Sequence, residues 1–189
     1  MLRGCTSYHH GSYSLGKRAV QRKSFGNMKC PIARSLERVG EWWSILILRD
    51  AFYGLTRFDE FQQSLGVAPG ILARRLNALV ASGLLERRRY SVHPPRDEYV
   101  LTERGRDFRP VLLALLAWGN RHFAPEGAAV RLADRRTGVP VEPVLVDGAT
   151  GERIAGPGYV LVPGLGADDA VRRRLAECGH LPFAAGGAA

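Results

Sequence analysis

The apolar and polar positions between residues 65 and 85 form the clearest pattern in this chain. Four apolar residues recur at spacings typical of one helical stripe: Leu72, Leu76, Leu79 and Val80. Pro69 suits the first turn of such a helix, where its missing N–H has no partner to lose, and Gly83 marks the end. The pattern predicts an amphipathic helix whose opposite side carries Ala73, Arg74, Asn77 and Ala81.

Three shorter helices are predicted before this one, over residues 31–39, 42–52 and 57–64. The first and third each carry one apolar face. The second is apolar nearly all round, so we expect it to be the buried central helix. A tight turn near Gly66 joins the third helix to the fourth, and two short helices joined in this way have the form of a helix-turn-helix.

A β-hairpin followed by a long apolar helix is predicted after Gly83. The strands are expected at residues 84–90 and 98–102, with Pro94-Pro95 in the loop because proline cannot donate to a strand ladder. The hairpin tip is positively charged, as in the wing of a winged helix. Thr102 is expected to cap the long helix, which should run to Phe123 with a kink at Pro110.

We interpret this long helix as a dimer interface, because it is more apolar than a small domain needs to cover itself. Two-fold symmetry is also common in helix-turn-helix proteins. The alternative is packing against its own domain or the C-terminal segment. The apolar residues assigned to the interface are Phe108, Val111, Leu112, Leu115, Leu116 and Trp118.

The expected fold class is therefore α+β, with a winged helix-turn-helix domain, a long C-terminal dimerisation helix and a small β-rich C-terminal segment. We expect a disordered basic arm over residues 1–27, the DNA-binding and dimerisation domain over 28–123 and a β-hairpin-rich extension over 124–189. In the extension, D-x-x-T-G elements at Asp134 and Asp147 predict hairpin turns. Strands are expected at 139–146 and 158–162, and a short helix at 168–178.

Charge points to a polyanionic partner for the N-terminal two thirds of the chain. The net charge is +9. Residues 1–27 carry five basic and no acidic residues, residues 28–123 carry fifteen and ten, and residues 124–189 carry seven and eight. Double-stranded DNA is the partner that this distribution favours.

Other classes of protein are not favoured by the sequence. It has no apolar run long enough for a membrane span and no N-terminal secretory signal. Cys5, Cys30 and Cys178 are too widely spaced for a disulfide framework or a zinc site, which fits a reducing cytoplasm. No cofactor or metal site is expected, and no catalytic grouping indicates an enzyme. The alternative is an interaction or ligand-binding module in which the extension carries the main activity.

A series of short motifs between residues 30 and 106 occurs together: Cys30-Pro31-Ile32, Gly40-x-Trp42-Trp43-x-x-Leu46-Ile47-Leu48-Arg49, Arg57-Phe58-x-x-Phe61, Ile71-Leu72-x-x-Arg75-Leu76-x-x-Leu79, Gly83-Leu84-Leu85-x-Arg87 and Pro94-Pro95-Arg96-x-x-Tyr99-x-Leu101-Thr102-x-x-Gly105-Arg106. With these motifs, residues 30–123 resemble the HxlR-type winged helix-turn-helix regulators of bacteria, which are MarR-like. The resemblance implies a homodimeric transcription factor, often a repressor, that binds near-palindromic DNA.

The candidate DNA contacts fall into two groups. Base reading is expected from the exposed side of the fourth helix: Pro69, Gly70, Ala73, Arg74 and Asn77. Arginine pairs with guanine and asparagine with adenine, so Arg74 is the strongest single candidate. Contacts to the DNA backbone or minor groove are expected from Arg57, Arg88, His93 and Arg96. Arg75 has two interpretations, a phosphate contact or an internal ion pair.

Two local features bear on binding and its control. Relatives often carry Ser or Thr near the start of the recognition helix, whereas this chain has Ala68-Pro69-Gly70 and so lacks a side-chain cap there. Cys30 directly precedes the first helix, a position favouring a reactive thiol, and in some relatives the cysteine there senses oxidants or electrophiles. The resemblance therefore suggests an oxidant or small-molecule effector. An inert Cys30 packed under the helix is the alternative.

Overall fold

The computed structural model describes residue 24, residues 30–155 and residues 158–177. The helices and strands follow in this order: α1 (Pro31–Val39), α2 (Trp42–Phe52), α3 (Phe58–Leu65), α4 (Pro69–Ala81), β1 (Leu85–Ser91), β2 (Arg96–Leu101), α5 (Glu103–Arg106), α6 (Arg109–His122) and α7 (Asp169–Glu177). The arm expected over residues 1–27 lies outside the described residues, apart from Ser24.

Helices α2, α3 and α4 pack together around an apolar core. Three leucines of α4 have no exposed surface: Leu72, Leu76 and Leu79. They share the core with Ile47 and Leu48 of α2, which are also fully buried. Burial of a leucine side chain contributes about 1.5–3 kcal/mol. The apolar stripe predicted for α4 and the central place predicted for α2 are both confirmed.

The wing is a two-stranded antiparallel sheet in which Leu85 pairs with Leu101 at the base. The second strand begins two residues earlier than predicted, because Arg96 pairs with Ser91 across an irregularity in the ladder. Leu85 and Tyr99 anchor the sheet in the core. Together with the helices, this sheet forms the mixed architecture of a winged helix-turn-helix.

The prediction of one continuous helix from Thr102 to Phe123 is wrong. The chain instead forms α5 and α6, which are separated at Asp107 and Phe108. Pro110 lies in the first turn of α6, where its missing N–H needs no partner, and it therefore begins a new helix instead of kinking a long one. The predicted cap is confirmed, since Thr102 Oγ1 accepts the Gly105 N–H at 3.0 Å.

The extension contains the predicted turns but not the predicted strands. In each D-x-x-T-G element the aspartate carboxylate accepts a backbone N–H two residues later, at 2.7 Å for Asp134 and 2.8 Å for Asp147. Residues 139–146 and the described residue range 158–162 form no strand, and each turn is closed by a single bridge. The prolines at 140, 143 and 163 have no N–H for a longer ladder.

The last described element, α7, confirms most of the predicted helix. The Asp168 carboxylate accepts the Val171 N–H at 3.0 Å, as a residue before a helix does. Cys178, the expected end of this helix, lies outside the described residues.

A close backbone contact joins the wing to the helices that follow it. The Thr102 hydroxyl donates to the Gly83 carbonyl at 2.6 Å, and the Thr102 N–H donates to the Leu84 carbonyl at 3.1 Å. A Cβ atom on Gly105 would lie 2.1 Å from the Leu84 carbonyl oxygen. Because no real Cβ is accommodated at that distance, α5 can approach the wing only with glycine at this position.

We therefore expect Gly105→Ala to lower the free energy of unfolding by about 1–3 kcal/mol, since the backbone must move to relieve the overlap. Gly119→Ala is the matched control, because a Cβ there meets no atom within 4 Å and alanine favours a helix by about 1 kcal/mol. Urea unfolding of the two variants measures the difference. Equal stability of the two would contradict this account of the junction.

Candidate nucleic-acid interface

The N-terminus of α4 presents a small, open surface. Ala68 supplies no side-chain cap, but its carbonyl oxygen accepts the N–H groups of Ile71 and Leu72 at 3.0 and 3.1 Å. Pro69 has no N–H, so Gly70 carries the remaining donor of the first turn. Gly70 is exposed, and no atom lies within 4 Å of the position its Cβ would take. The first turn can therefore offer one backbone N–H to a phosphate at close range.

The adjacent arginines of α4 lie in different surroundings. The Arg74 side chain is exposed, one turn beyond Gly70. Arg75 forms an ion pair with Glu41 at the start of α2, with 2.8 Å between Nη2 and Oε2. Its side chain is only 17% exposed. Of the two interpretations that the sequence left open for Arg75, the structure shows the internal ion pair.

Asn77 is exposed at the middle of α4 but is already engaged. Its Oδ1 accepts a hydrogen bond from the guanidinium of Arg87 on β1. The same guanidinium lies 5.5 Å from the centre of the Tyr99 ring. Arg87 thus links α4 to the wing, a role that the sequence did not reveal because the two residues lie on different elements. A bidentate contact of Asn77 with adenine would share an oxygen that Arg87 already holds.

Arg57 is held at the start of α3 by two neighbours. Its guanidinium lies 4.9 Å from the centre of the Tyr90 ring on β1, a cation–π arrangement. The Glu60 carboxylate accepts the backbone N–H groups of Arg57 and Thr56, each at 2.9 Å. These hydrogen bonds, that of Arg57 first, lower the pKa of Glu60 below its ordinary value. The charged carboxylate therefore fixes the backbone from which Arg57 projects.

The wing arginines divide into paired and unpaired groups. Arg88 pairs with Glu86, and Arg89 pairs with Asp97 at 3.1 Å. His93 and Arg96 at the tip are exposed, and within the described residues the Arg96 side chain has no ion-pair or hydrogen-bond partner. Exposed ion pairs are weak, so Arg88 keeps some freedom to meet a phosphate, but the unpaired charge is concentrated at the tip.

The residues assigned to a dimer interface include one group that packs against the core and one group that is exposed to solvent. Phe108 and Leu112 pack against the core of their own domain. Val111, Leu115 and Trp118 are exposed by 47%, 41% and 54% and form one stripe at helical spacing on α6. We call these three residues the α6 stripe. Leu116 is half-buried.

Cys30 is a free, half-buried thiol at the position before α1. Within residues 30–155 and 158–177, no group of three His, Cys, Asp or Glu residues is arranged to hold a metal ion. None of the described helices combines the length and the apolar character needed to cross a membrane.

The chain is similar to proteins described as transcriptional regulators. A family model described as HxlR-like helix-turn-helix matches residues 38–127. An uncharacterized HTH-type transcriptional regulator of Mycobacterium tuberculosis is 40% identical over 136 residues, which are 71% of this chain and 86% of that protein. A regulator of the same description from Synechocystis is 39% identical over 104 residues, which are 54% of this chain and 77% of that protein.

Two solved structures are also similar. PA1607, a candidate transcription factor, is 41% identical with a TM-score of 0.68, and the match covers 75% of this chain and 100% of that chain. PA1374 from Pseudomonas aeruginosa, also a candidate transcription factor, is 54% identical with a TM-score of 0.57. That match covers 77% of this chain and 99% of the other.

Proposed function

This chain belongs to the HxlR-like helix-turn-helix family of transcriptional regulators, and from that membership we propose that it is a sequence-specific repressor. It would bind a near-palindromic operator as a homodimer. The observation that carries the proposal is the N-terminal half of α4, where Gly70 leaves the backbone open and Arg74 is exposed while its neighbour Arg75 is held by Glu41.

In the proposed complex α4 enters the major groove, which is wide enough for a helix. Arg74 donates to a guanine, with Pro69 and Ala73 beside it and the Gly70 N–H on a phosphate. Asn77 contributes through its NH2 group, since Arg87 holds its carbonyl oxygen. Arg57, Arg88, His93 and Arg96 contact the backbone or the minor groove.

The homodimer is proposed to form through the α6 stripe. Three large, exposed apolar side chains in one line on a helix are suited to a two-fold contact with the same stripe of a second copy. Such a dimer places two copies of α4 in successive major grooves, about 34 Å apart. Residues 28–123 would then form the DNA-binding and dimerisation domain, and residues 124–189 an extension to it.

Arg74→Ala is expected to reduce the preference for the operator over random duplex by about 1–3 kcal/mol, because the base contact is lost. Arg96→Ala should weaken binding to both duplexes equally and lower the salt dependence by about one counterion. Fluorescence anisotropy, with an operator selected by the unaltered protein from random duplexes, measures both effects over a range of salt concentrations.

Arg75→Ala is the matched control for this series, since it removes the same charge from the next position. It should lower the stability of the fold by breaking the pair with Glu41 but keep the preference for the operator. Unchanged preference in Arg74→Ala would refute the assignment of α4 as the reading helix.

Leu115→Glu is expected to convert the homodimer to monomers, because two carboxylates would meet in an apolar contact. Leu165→Glu, at a fully exposed leucine of the extension, is the matched control and should stay dimeric. Light scattering coupled to size exclusion gives the mass of each. A monomeric unaltered protein, or a dimeric Leu115→Glu variant, would count against the α6 stripe.

Control by a thiol-reactive signal is proposed at Cys30. A mild oxidant should weaken DNA binding by the unaltered protein and by Cys178→Ser but leave Cys30→Ser unaffected, because only the last lacks the proposed sensor. Anisotropy titrations before and after treatment with diamide measure the response. The same loss in Cys30→Ser, or no loss in any form, would assign Cys30 to packing alone.

A further inference from the structure

A cleft of about 420 Å³ lies between α2, α6 and residues 130–132. Apolar side chains from all three segments form most of its wall. Asn120 of α6 donates from Nδ2 to the Val130 carbonyl at 2.9 Å, and this hydrogen bond holds the third wall against the helix. The volume falls within the range typical of sites for small molecules. The cleft is therefore a walled space, and it shares Leu115 with the α6 stripe.

The charged residues in this wall all have the same sign. Arg49, Arg109 and Arg131 line the cleft, and no Asp or Glu among the described residues does. In the described part of the chain, no ion pair or side-chain hydrogen bond engages Arg109 or Arg131. The guanidinium groups of Arg109 and Arg131, beside an apolar surface and without a carboxylate partner, therefore favour an anion.

An ion pair with Asp50 fixes the position of the Arg49 side chain. Its Nε and Nη2 atoms both donate to Oδ1 of Asp50, at 2.8 and 2.7 Å. The Asp50 side chain is 1% exposed, whereas that of Arg49 is 38% exposed. The buried carboxylate thus orients the guanidinium at the cleft wall. Tyr53, whose ring centre lies 6.0 Å from the guanidinium carbon, adds an aromatic face there.

We propose that this cleft binds a small amphipathic anion, in which an apolar body occupies the space between α2 and α6 and a carboxylate meets the arginines. The apolar body would gain by leaving water, and the carboxylate would accept charge-assisted hydrogen bonds from guanidinium groups. Neither an apolar neutral molecule nor a hydrophilic anion matches both features of the wall. The site stands independently of operator binding, since none of its residues is assigned to DNA.

Isothermal titration of the full chain with 2-naphthoate, and with neutral 2-naphthamide of the same shape, tests the proposal. We expect one naphthoate per chain, bound at least about tenfold more tightly than the amide because only the carboxylate pairs with the arginines. The double variant Arg109→Gln/Arg131→Gln should bind the two compounds alike. Leu113→Trp, which fills the cleft, should bind neither; circular dichroism checks that both variants fold.

The control variant Arg172→Gln/Arg173→Gln removes the same charge from α7, away from the cleft, and should keep the preference for naphthoate. Three results would overturn the proposal. They are equal affinity of the unaltered protein for the two compounds, no binding of either compound by the unaltered protein, and an equal loss of naphthoate affinity in the two double variants. Val111 belongs to the α6 stripe but does not line the cleft. Binding by a Val111→Glu monomer alone would instead assign the cleft to a second copy of the chain and would also overturn the proposal.

Discussion

The burial of three leucines of α4 against α2 and α3 determines which side of α4 faces the solvent. Leu72, Leu76 and Leu79 have no exposed surface, so the rotation of α4 about its own axis is fixed. Arg74 lies two residues from Leu72, on the far side of the helix, whereas Arg75 lies three residues from it, at the edge where Glu41 is within reach. One packing constraint thus exposes one arginine and engages the other.

The wing is positioned by a second set of contacts that depends on the first. Tyr99 enters the same core and donates its N–H to the Thr56 carbonyl at 2.7 Å, which places the start of α3 beside β2. Arg57 then stacks on Tyr90, and Arg87 reaches from β1 to Asn77. The helix-turn-helix and the wing are therefore one surface, held together by polar and aromatic contacts around its edge.

The sequence predicted features that arise from local periodicity and missed those that arise from distant contacts. The bounds of α1 and α2 agree with the expectation because apolar spacing, glycine and proline define them locally. The break before α6 was missed because Pro110 fits either a kink within one helix or the first turn of a new helix, and the local pattern alone does not decide between them. The Arg87–Asn77 hydrogen bond joins β1 to α4, and the arginines around the cleft come from three separate segments of the chain. No single stretch of sequence reveals either arrangement.

The two D-x-x-T-G turns show how the extension is constructed. Each turn satisfies its own hydrogen bonds through its aspartate and is closed by a single bridge, with no ladder connecting one turn to the next. Each is thus a self-contained module of local sequence, repeated after thirteen residues. A lineage could lose or duplicate one module without disturbing strand register anywhere else, so the extension can change its length while the domain before it remains intact.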